Sequence, residues 1–316
     1  MRSVLKSLAL VALVATVPVL AGPPQAFAQH KVTDAAGRQV EVRDTSRVVS
    51  IGGAVTEILF ALGLGDRVVG VDQTSTYPAE ARSRPNVGYS RTLAPEGVLS
   101  ADPSLILAIE GAGPPSTLDV LKQASVPVVL VPDGHTPESV VRKIEIIAEA
   151  MGVSEKGRAL ADAVRADFAT LAQGVAQLKG KPRAVFVLSA SGGAPVVGGA
   201  GTSADAMFHL AGVTNAMAGI SGFKPAVDEV ALTADPDAVV VMTDGGQKLT
   251  ADVIFSLPAF KGTPAARDDR LVALPGSYLL GFGPRAPQAA RDLALALHPG
   301  ESLPPLPSRP WAGSGQ

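Results

Sequence analysis

The sequence predicts an α/β protein of two similar lobes, each a mainly parallel sheet flanked by helices, the two joined by a single long helix. Three observations predict it. Short β-branched runs alternate with longer helical patterns, the signature of parallel strands covered by helices. A twelve-residue segment recurs at an offset of 133 with five identities, which marks a duplicated unit. Between the two copies lies one long pattern with its apolar residues on a single helical face. The 316 residues suffice for about two domains at roughly 100 to 200 residues each.

Residues 1–28 hold the densest apolar stretch. Arg2 and Lys6 precede the run from Leu8 to Leu20, and Ala26-Phe27-Ala28 puts small residues where a signal peptidase reads them. A secretory leader is therefore expected over 1–28. The run is broken by Pro18 and by Gly22-Pro23-Pro24 and falls short of the roughly 20 apolar residues that span a bilayer, so no stable membrane insertion is expected. The chain has no cysteine, which leaves nothing after the leader to carry a lipid and excludes disulfide, thiol, zinc-ribbon and iron–sulfur chemistry. An exported, unlipidated, soluble chain points to a Gram-negative periplasm. With 27 Lys plus Arg against 29 Asp plus Glu and no basic stripe, nucleic acid is not an expected partner.

The N-terminal lobe is expected over 29–152, with strands at 48–51, 67–71, 105–109 and 128–131. A helix from Pro137 to Met151 ends at Gly152, and Ser154 is expected to cap the linking helix, 153–180. Leu160, Val164, Phe168, Leu171, Val175 and Leu178 fall at spacings of three and four along it. About 25 residues at about 1.5 Å each reach nearly 40 Å, enough to cross between lobes. Gly180-Lys181-Pro182 stops it. The C-terminal lobe, 181–300, follows with strands at 184–188, 238–242 and 271–274, and the Pro-, Ser- and Gly-rich segment 301–316 is expected to be a disordered tail.

In the repeat, Glu96, Leu99, Ala101, Asp102 and Pro103 match Glu229, Leu232, Ala234, Asp235 and Pro236, each copy a short helix, an Asp-Pro stop and a buried strand. A second pair, from Ala54 to Gly63 and from Ala204 to Gly212, recurs in the same order. Two such lobes face each other across a cleft, where ligands commonly bind.

G-x-S-x-G and the phosphate-cradling G-x-x-x-x-G-K-[ST] are both absent, and no catalytic apparatus is evident. The stretch Gly281-Phe282-Gly283-Pro284-Arg285-Ala286 fits G-x-G-x-x-A, but too little chain follows for a dinucleotide fold. It is either a glycine-rich turn or an anion site, in which helix-start N–H groups and Arg285 meet a carboxylate. His30, His135, His209 and His298 are far apart and form no metal-binding spacing. His209 is expected to pack within its apolar helix, whereas His135, in a loop after a strand's C-terminal end, is a candidate ligand contact. Tyr89 and Arg91 lie two apart in an extended polar loop and so project to the same side. A neighbouring cation favours a phenolate, a hard donor suited to ferric iron.

Three stretches carry a resemblance: 49–59 (Val-Ser-Ile-Gly-Gly-Ala-Val-Thr-Glu-Ile-Leu), 87–97 (Val-Gly-Tyr-Ser-Arg-Thr-Leu-Ala-Pro-Glu-Gly) and 278–285 (Tyr-Leu-Leu-Gly-Phe-Gly-Pro-Arg). From about residue 47 to 299 the chain resembles the class III periplasmic binding proteins of ABC importers, specifically the hemin-uptake branch. The resemblance implies heme as the transported ligand, Tyr89 as the axial ligand of its iron and Arg91 as the arginine that hydrogen-bonds that tyrosine. It implies that Glu96 and Glu229 dock onto arginines of an inner-membrane permease dimer with its ATPase, the carrier itself being a monomer. A Glu in the first turn of a helix is also stabilised by the macrodipole with no partner at all. Arg91 and Arg285 are the candidates for the rim of the cleft, where the heme carboxylates would lie. Some relatives add a histidine from the loop after the second lobe's first strand. Here that loop, 189–201, has none, which favours five-coordinate iron or a second, stacked heme. A ferric siderophore or cobalamin on the same scaffold, or an enzyme such as a chelatase, are the alternatives.

Overall fold

The computed structural model describes residues 30–190, 194–226 and 234–313; the expected leader and Glu229 lie outside these. The described chain opens on an antiparallel hairpin of β1 (His30–Thr33) and β2 (Gln39–Val42). A parallel four-stranded sheet follows, built from β3 (Val48–Ile51), β4 (Val68–Val71), β5 (Leu105–Ile109) and β6 (Val128–Val131) in the order β4-β3-β5-β6. Val48, Val49, Leu105, Ile106 and Val129 are wholly buried, as a parallel sheet covered on both faces requires. Its helices are α1 (Gly53–Ala61), α2 (Pro95–Leu99), α3 (Pro115–Gln123) and α4 (Pro137–Ala150). The last starts cleanly because the Thr136 hydroxyl accepts from the Ser139 N–H and Pro137 takes the first helical position.

The long helix α5 (Ser154–Val175) runs for 22 residues from the first sheet to the second. Ser154 is its first residue and not its cap; Val153 stands at the cap position and no side chain bonds there. The second sheet comprises β7 (Arg183–Ser189), β8 (Val196–Gly198), β9 (Thr214–Asn215), β10 (Phe223–Pro225), β11 (Ala238–Met242) and β12 (Leu271–Leu274). Strands β9 and β11 pair with β7 in parallel and β12 pairs with β11 in parallel, while β8 on β7 and β10 on β8 add an antiparallel edge that sequence periodicity does not reveal. The described helices of this lobe are α6 (Ser203–Leu210), α7 (Ala251–Ser256), α8 (Pro264–Arg267), α9 (Gly276–Leu280) and α10 (Ala286–Leu297). His209 does not pack inward on α6: its side chain is exposed, with Nδ1 against the Asp205 carbonyl.

The duplication is visible in the backbone. Asp102 and Asp235, matched by the repeat, both adopt left-handed geometry, at φ 48° and 42°. In the first half Arg47 donates to the carbonyls of Ala101 and Asp102; in the second, Arg183 donates to that of Ala234. Each arginine stands at the start of its lobe's leading strand and ties that strand to the Asp-Pro stop.

The lobes do not have separate interiors. One apolar cluster runs from β3 and β5 through Ile144 and Ile147 of α4 and Leu160, Val164 and Phe168 of α5 to Phe186, Phe208 and Leu293. A second, smaller cluster, with Val185, Val187, Val241 and Phe260, covers the other face of the second sheet. The expected disordered tail is also tied down. Leu303 is buried, Arg291 donates to the carbonyls of Leu303 and Pro304, and Tyr77 donates to the carbonyl of Trp311 at 2.9 Å. Arg309 forks onto the buried Asp167 of α5 at 3.0 and 2.7 Å. Composition misleads here because the tail is ordered by partners far away in sequence. Among the described residues no helix is long and apolar enough to cross a membrane.

Removing the arginine strands a buried carboxylate, so Arg309→Ala is expected to lose about 1–3 kcal/mol of stability. That is a drop of several degrees in Tm, at about 2–4 °C per kcal/mol for a chain of this size. Adding Asp167→Asn should restore part of the loss, whereas an unchanged Arg309→Ala melt would contradict the role assigned to the pair.

Candidate functional site

The carboxyl ends of parallel strands from both lobes converge on one cleft of about 590 Å³. The first lobe lines it with Gly52 and Gly53 after β3, Thr74 and Thr76 after β4, Ile109 at the end of β5 and Asp133 after β6. From the second come Met242 and Asp244 at the end of β11 and Gly276, Ser277, Leu280 and Gly281 from α9. Its floor on the first-lobe side is held by Asp72, whose carboxylate accepts from the Gly52 and Thr74 N–H groups and from the Thr74 and Ser75 hydroxyls. Ser75 continues this buried network through Thr56 to Ser50.

Tyr89 stands on the first-lobe wall and is 44 % exposed. The loop before it is stitched to β4 by the Val87 N–H to the Val71 carbonyl, and the Gln73 N–H donates to Gly88. Gly88 then takes φ 109°, a left-handed conformation that lets the next side chain turn out into the cleft. The chain has three tyrosines, and the other two, Tyr77 and Tyr278, are held against Arg285, so Tyr89 is the phenol presented to the cleft.

Arg91 lines the same cleft, but its guanidinium donates to Asp133 Oδ2 at 2.9 Å and to the Glu110 carbonyl at 3.2 Å. Among the described residues no hydrogen bond joins it to Tyr89, contrary to expectation: a carboxylate outcompetes a neutral phenol for a cation. His135, unlike Arg91, does not line the cleft. Its ring packs on Phe282 of the other lobe at 5.0 Å between centroids, and burial pushes its pKa below the usual imidazole value. Glu96 stands exposed in the first turn of α2.

Arg285 corrects the rim expectation most instructively. It is 8 % exposed and does not reach the cleft mouth. Its guanidinium donates to Glu57 Oε2 at 2.9 Å, and its backbone N–H, at the start of α10, donates to Glu57 Oε1 at 2.9 Å. The helix start and the arginine do meet a carboxylate, but it belongs to α1 of this same chain. Tyr77 lies under the guanidinium at 3.3 Å and Tyr278 at 5.1 Å. Gly283 permits the approach, since a Cβ there would come within 2.9 Å of the Glu57 carboxyl carbon. Burial, with Asp292 beside it, pushes the Tyr278 phenol well above its ordinary pKa.

Lys143, unnoticed in the sequence, completes this seam. It is wholly buried on the apolar face of α4, and its ammonium donates to the carbonyls of Gly134 and, across the lobes, Phe282, at 2.9 and 3.3 Å. A lysine at core spacing between Val140 and Ile147 was the available signal. Burial pulls its pKa down to about 8, with nearby Asp133 opposing. The Thr76 hydroxyl donating to Ser277 at 2.9 Å adds a third link at the cleft floor. Among the described residues no cluster of three His, Asp or Glu suits a bare metal ion.

Residues 48–278 match the family described as periplasmic binding protein. Among solved structures, the chain is similar to the periplasmic heme-binding protein RhuT from Roseiflexus sp. RS-1 in apo form, with 38% identity and a TM-score of 0.76. That match covers 81% of this chain and 98% of that one. Among curated proteins, it is 28% identical over 272 residues to the uncharacterized ABC transporter substrate-binding lipoprotein YvrC of Bacillus subtilis, covering 85% of each. It is likewise 28% identical to the vitamin B12-binding protein of Vibrio parahaemolyticus, over 63% of this chain and 73% of that protein.

Two outcomes follow from the seam. Arg285→Ala leaves Glu57 buried without its partner and should cost about 3–5 kcal/mol in chemical denaturation. A loss under about 1 kcal/mol would place the pair at the margin instead of the base of the fold. For Lys143, the unfolded chain holds the lysine proton up to about pH 10.5 while the folded chain gives it up near 8. The unfolded state therefore binds more protons in that window, and stability rises with pH across it. Between pH 7.5 and 10 the wild type should gain about 2 kcal/mol relative to Lys143→Met. Parallel pH curves for the two would refute the assignment.

Proposed function

The chain belongs to the periplasmic binding protein family, and from that premise we propose that it captures heme in the cleft between its lobes and delivers it to an inner-membrane ABC permease. The observation that carries this reading is Tyr89, the one tyrosine of three left free of the inter-lobe seam, half-exposed on a cleft wall. A phenolate is a recognised protein ligand of heme iron. Opposite it the second lobe offers Met242 and Leu280, and Ile109 and the Gly52-Gly53 backbone complete apolar walls for a flat macrocycle. Among the described residues, every one that lines the cleft is something other than histidine, so Tyr89 is the iron donor we assign.

Glu96 and Glu229, at the same place in each copy of the repeat, are the assigned contacts to the two arms of the permease, which its ATPase drives. Residues 1–28 serve as the leader that exports the chain to the periplasm, where it acts as a monomer without a lipid anchor, unlike the B. subtilis relative named a lipoprotein. The vitamin B12-binding relative supports a second reading, cobalamin on the same scaffold. It ranks below heme because its identity is lower and because a corrinoid would leave Tyr89 without a metal bond.

A hemin titration followed by visible absorption separates the two. Wild type should give a shifted Soret band with tyrosinate-to-iron charge transfer. Tyr89→Ala should lose the charge-transfer bands and weaken Kd by more than about tenfold, the equivalent of about 1.4 kcal/mol. Saturable cobalamin binding with no hemin response would install the second reading.

A further inference from the structure

We propose that the cleft selects iron porphyrins by the metal and the apolar ring face and leaves the two propionates in solvent, so that peripheral carboxylates are not part of what it recognises. This rests on the heme reading and extends it to the class of porphyrin accepted. The ground is the state of the cations. Among the described cleft-lining residues, Arg91 is the one Lys or Arg. Asp133 neutralises it at 2.9 Å, and the Glu110 carbonyl fixes it. It also lies so close over Gly111 that any side chain at that position would collide with the guanidinium. Arg285 is committed to Glu57, and Lys143 is buried among carbonyls. The internal segments outside the described residues, 191–193 and 227–233, contain no Lys or Arg.

Against this stands an uncompensated carboxylate on the opposite wall. Asp244 accepts from the Gly276 N–H at 2.5 Å, a backbone contact that orients it without cancelling its charge. Among the described residues the lining is thus one neutral pair and one surplus negative charge. A dianionic porphyrin edge turned inward would meet like charge and lose its hydration with no cation to replace it. Turned outward, the same edge keeps its water, and the ring is held between Ile109 and Ala54 on one side and Met242 and Leu280 on the other. Specificity then comes from iron donation and from repulsion of inward-facing carboxylates.

The test compares hemin, hemin dimethyl ester and iron-free protoporphyrin IX on the full mature chain by absorbance and fluorescence titration. The ester should bind within about fivefold of hemin, and the iron-free ring more than about tenfold more weakly. Hemin affinity should change little between 50 and 500 mM salt, as expected when no exposed ion pair carries it. Asp133→Asn releases Arg91 from its counter-charge and should shift the preference toward hemin over its ester. An ester more than about fivefold weaker than hemin in wild type would overturn the proposal, as would an unmoved ratio in Asp133→Asn. Failure of both hemin and its ester to bind is a separate result, which overturns the heme reading itself.

Discussion

The buried pair between Glu57 and Arg285 is the constraint from which the rest of the architecture follows. Burying two charges is expensive and is recovered only when geometry is good and the remaining polar atoms are satisfied. Here the carboxylate takes one bond from the guanidinium and one from a helix-start N–H, and the Tyr77 and Tyr278 rings lie against the cation, while Arg285 Nε is buried without a hydrogen-bond partner. Because the acid is on α1 and the base at the head of α10, the pair closes the base of the cleft. Opening the lobes would separate it, together with the Lys143 bond to Phe282 and the Thr76 bond to Ser277. The shared core through α4 and α5 and the tail anchored on Asp167 resist the same motion. The cleft is therefore largely preformed, which suits a rigid disc: a slot already at the right width spends little binding free energy on ordering itself.

The position of the cleft comes from a different source. Parallel strands leave their loops at the carboxyl ends, and ligands of open α/β sheets bind there. Duplication places two such ends in one molecule, and the seam turns them toward each other. The arginines that begin the two lobes, Arg47 and Arg183, hold equivalent Asp-Pro stops, so both halves present their loops from equivalently braced strands. Tyr89 and Met242 reach the same cavity for this reason, although 153 residues separate them.

The parts legible in the sequence were those governed by local pattern. Strands 105–109, 128–131, 238–242 and 271–274 stand where their β-branched runs put them, and the helix after Pro137 ends one residue before the predicted Met151. The hairpin of β1 and β2 and the edge strands β8 and β10 escaped because they are three or four residues long, partly polar and without periodicity. The tail escaped because composition cannot register that Arg309 has a partner 142 residues earlier. Lys143 was legible in principle, as a charge at a core position, since such a residue must find oxygen acceptors inside.

Arg285 shows why the site itself was read only in part. The chemistry inferred from its motif, a helix start and an arginine converging on a carboxylate, is what the structure contains. Nothing local indicates whose carboxylate it is, because Glu57 lies 228 residues away. A ligand carboxylate and an internal one make identical demands on the motif. Ownership is decided by the tertiary fold, which brings α1 against the head of α10 and fills the site from within. The consequence reaches the cleft nonetheless. By absorbing Arg285, Tyr77 and Tyr278 into the seam, the fold leaves Tyr89 as the phenol in the cavity and leaves no free cation among the described residues that line it. Residues that touch no cargo thus set both the width of the slot and the charge a ligand meets inside it, which explains how a stretch can carry a family likeness to heme carriers while lying behind the wall of the site.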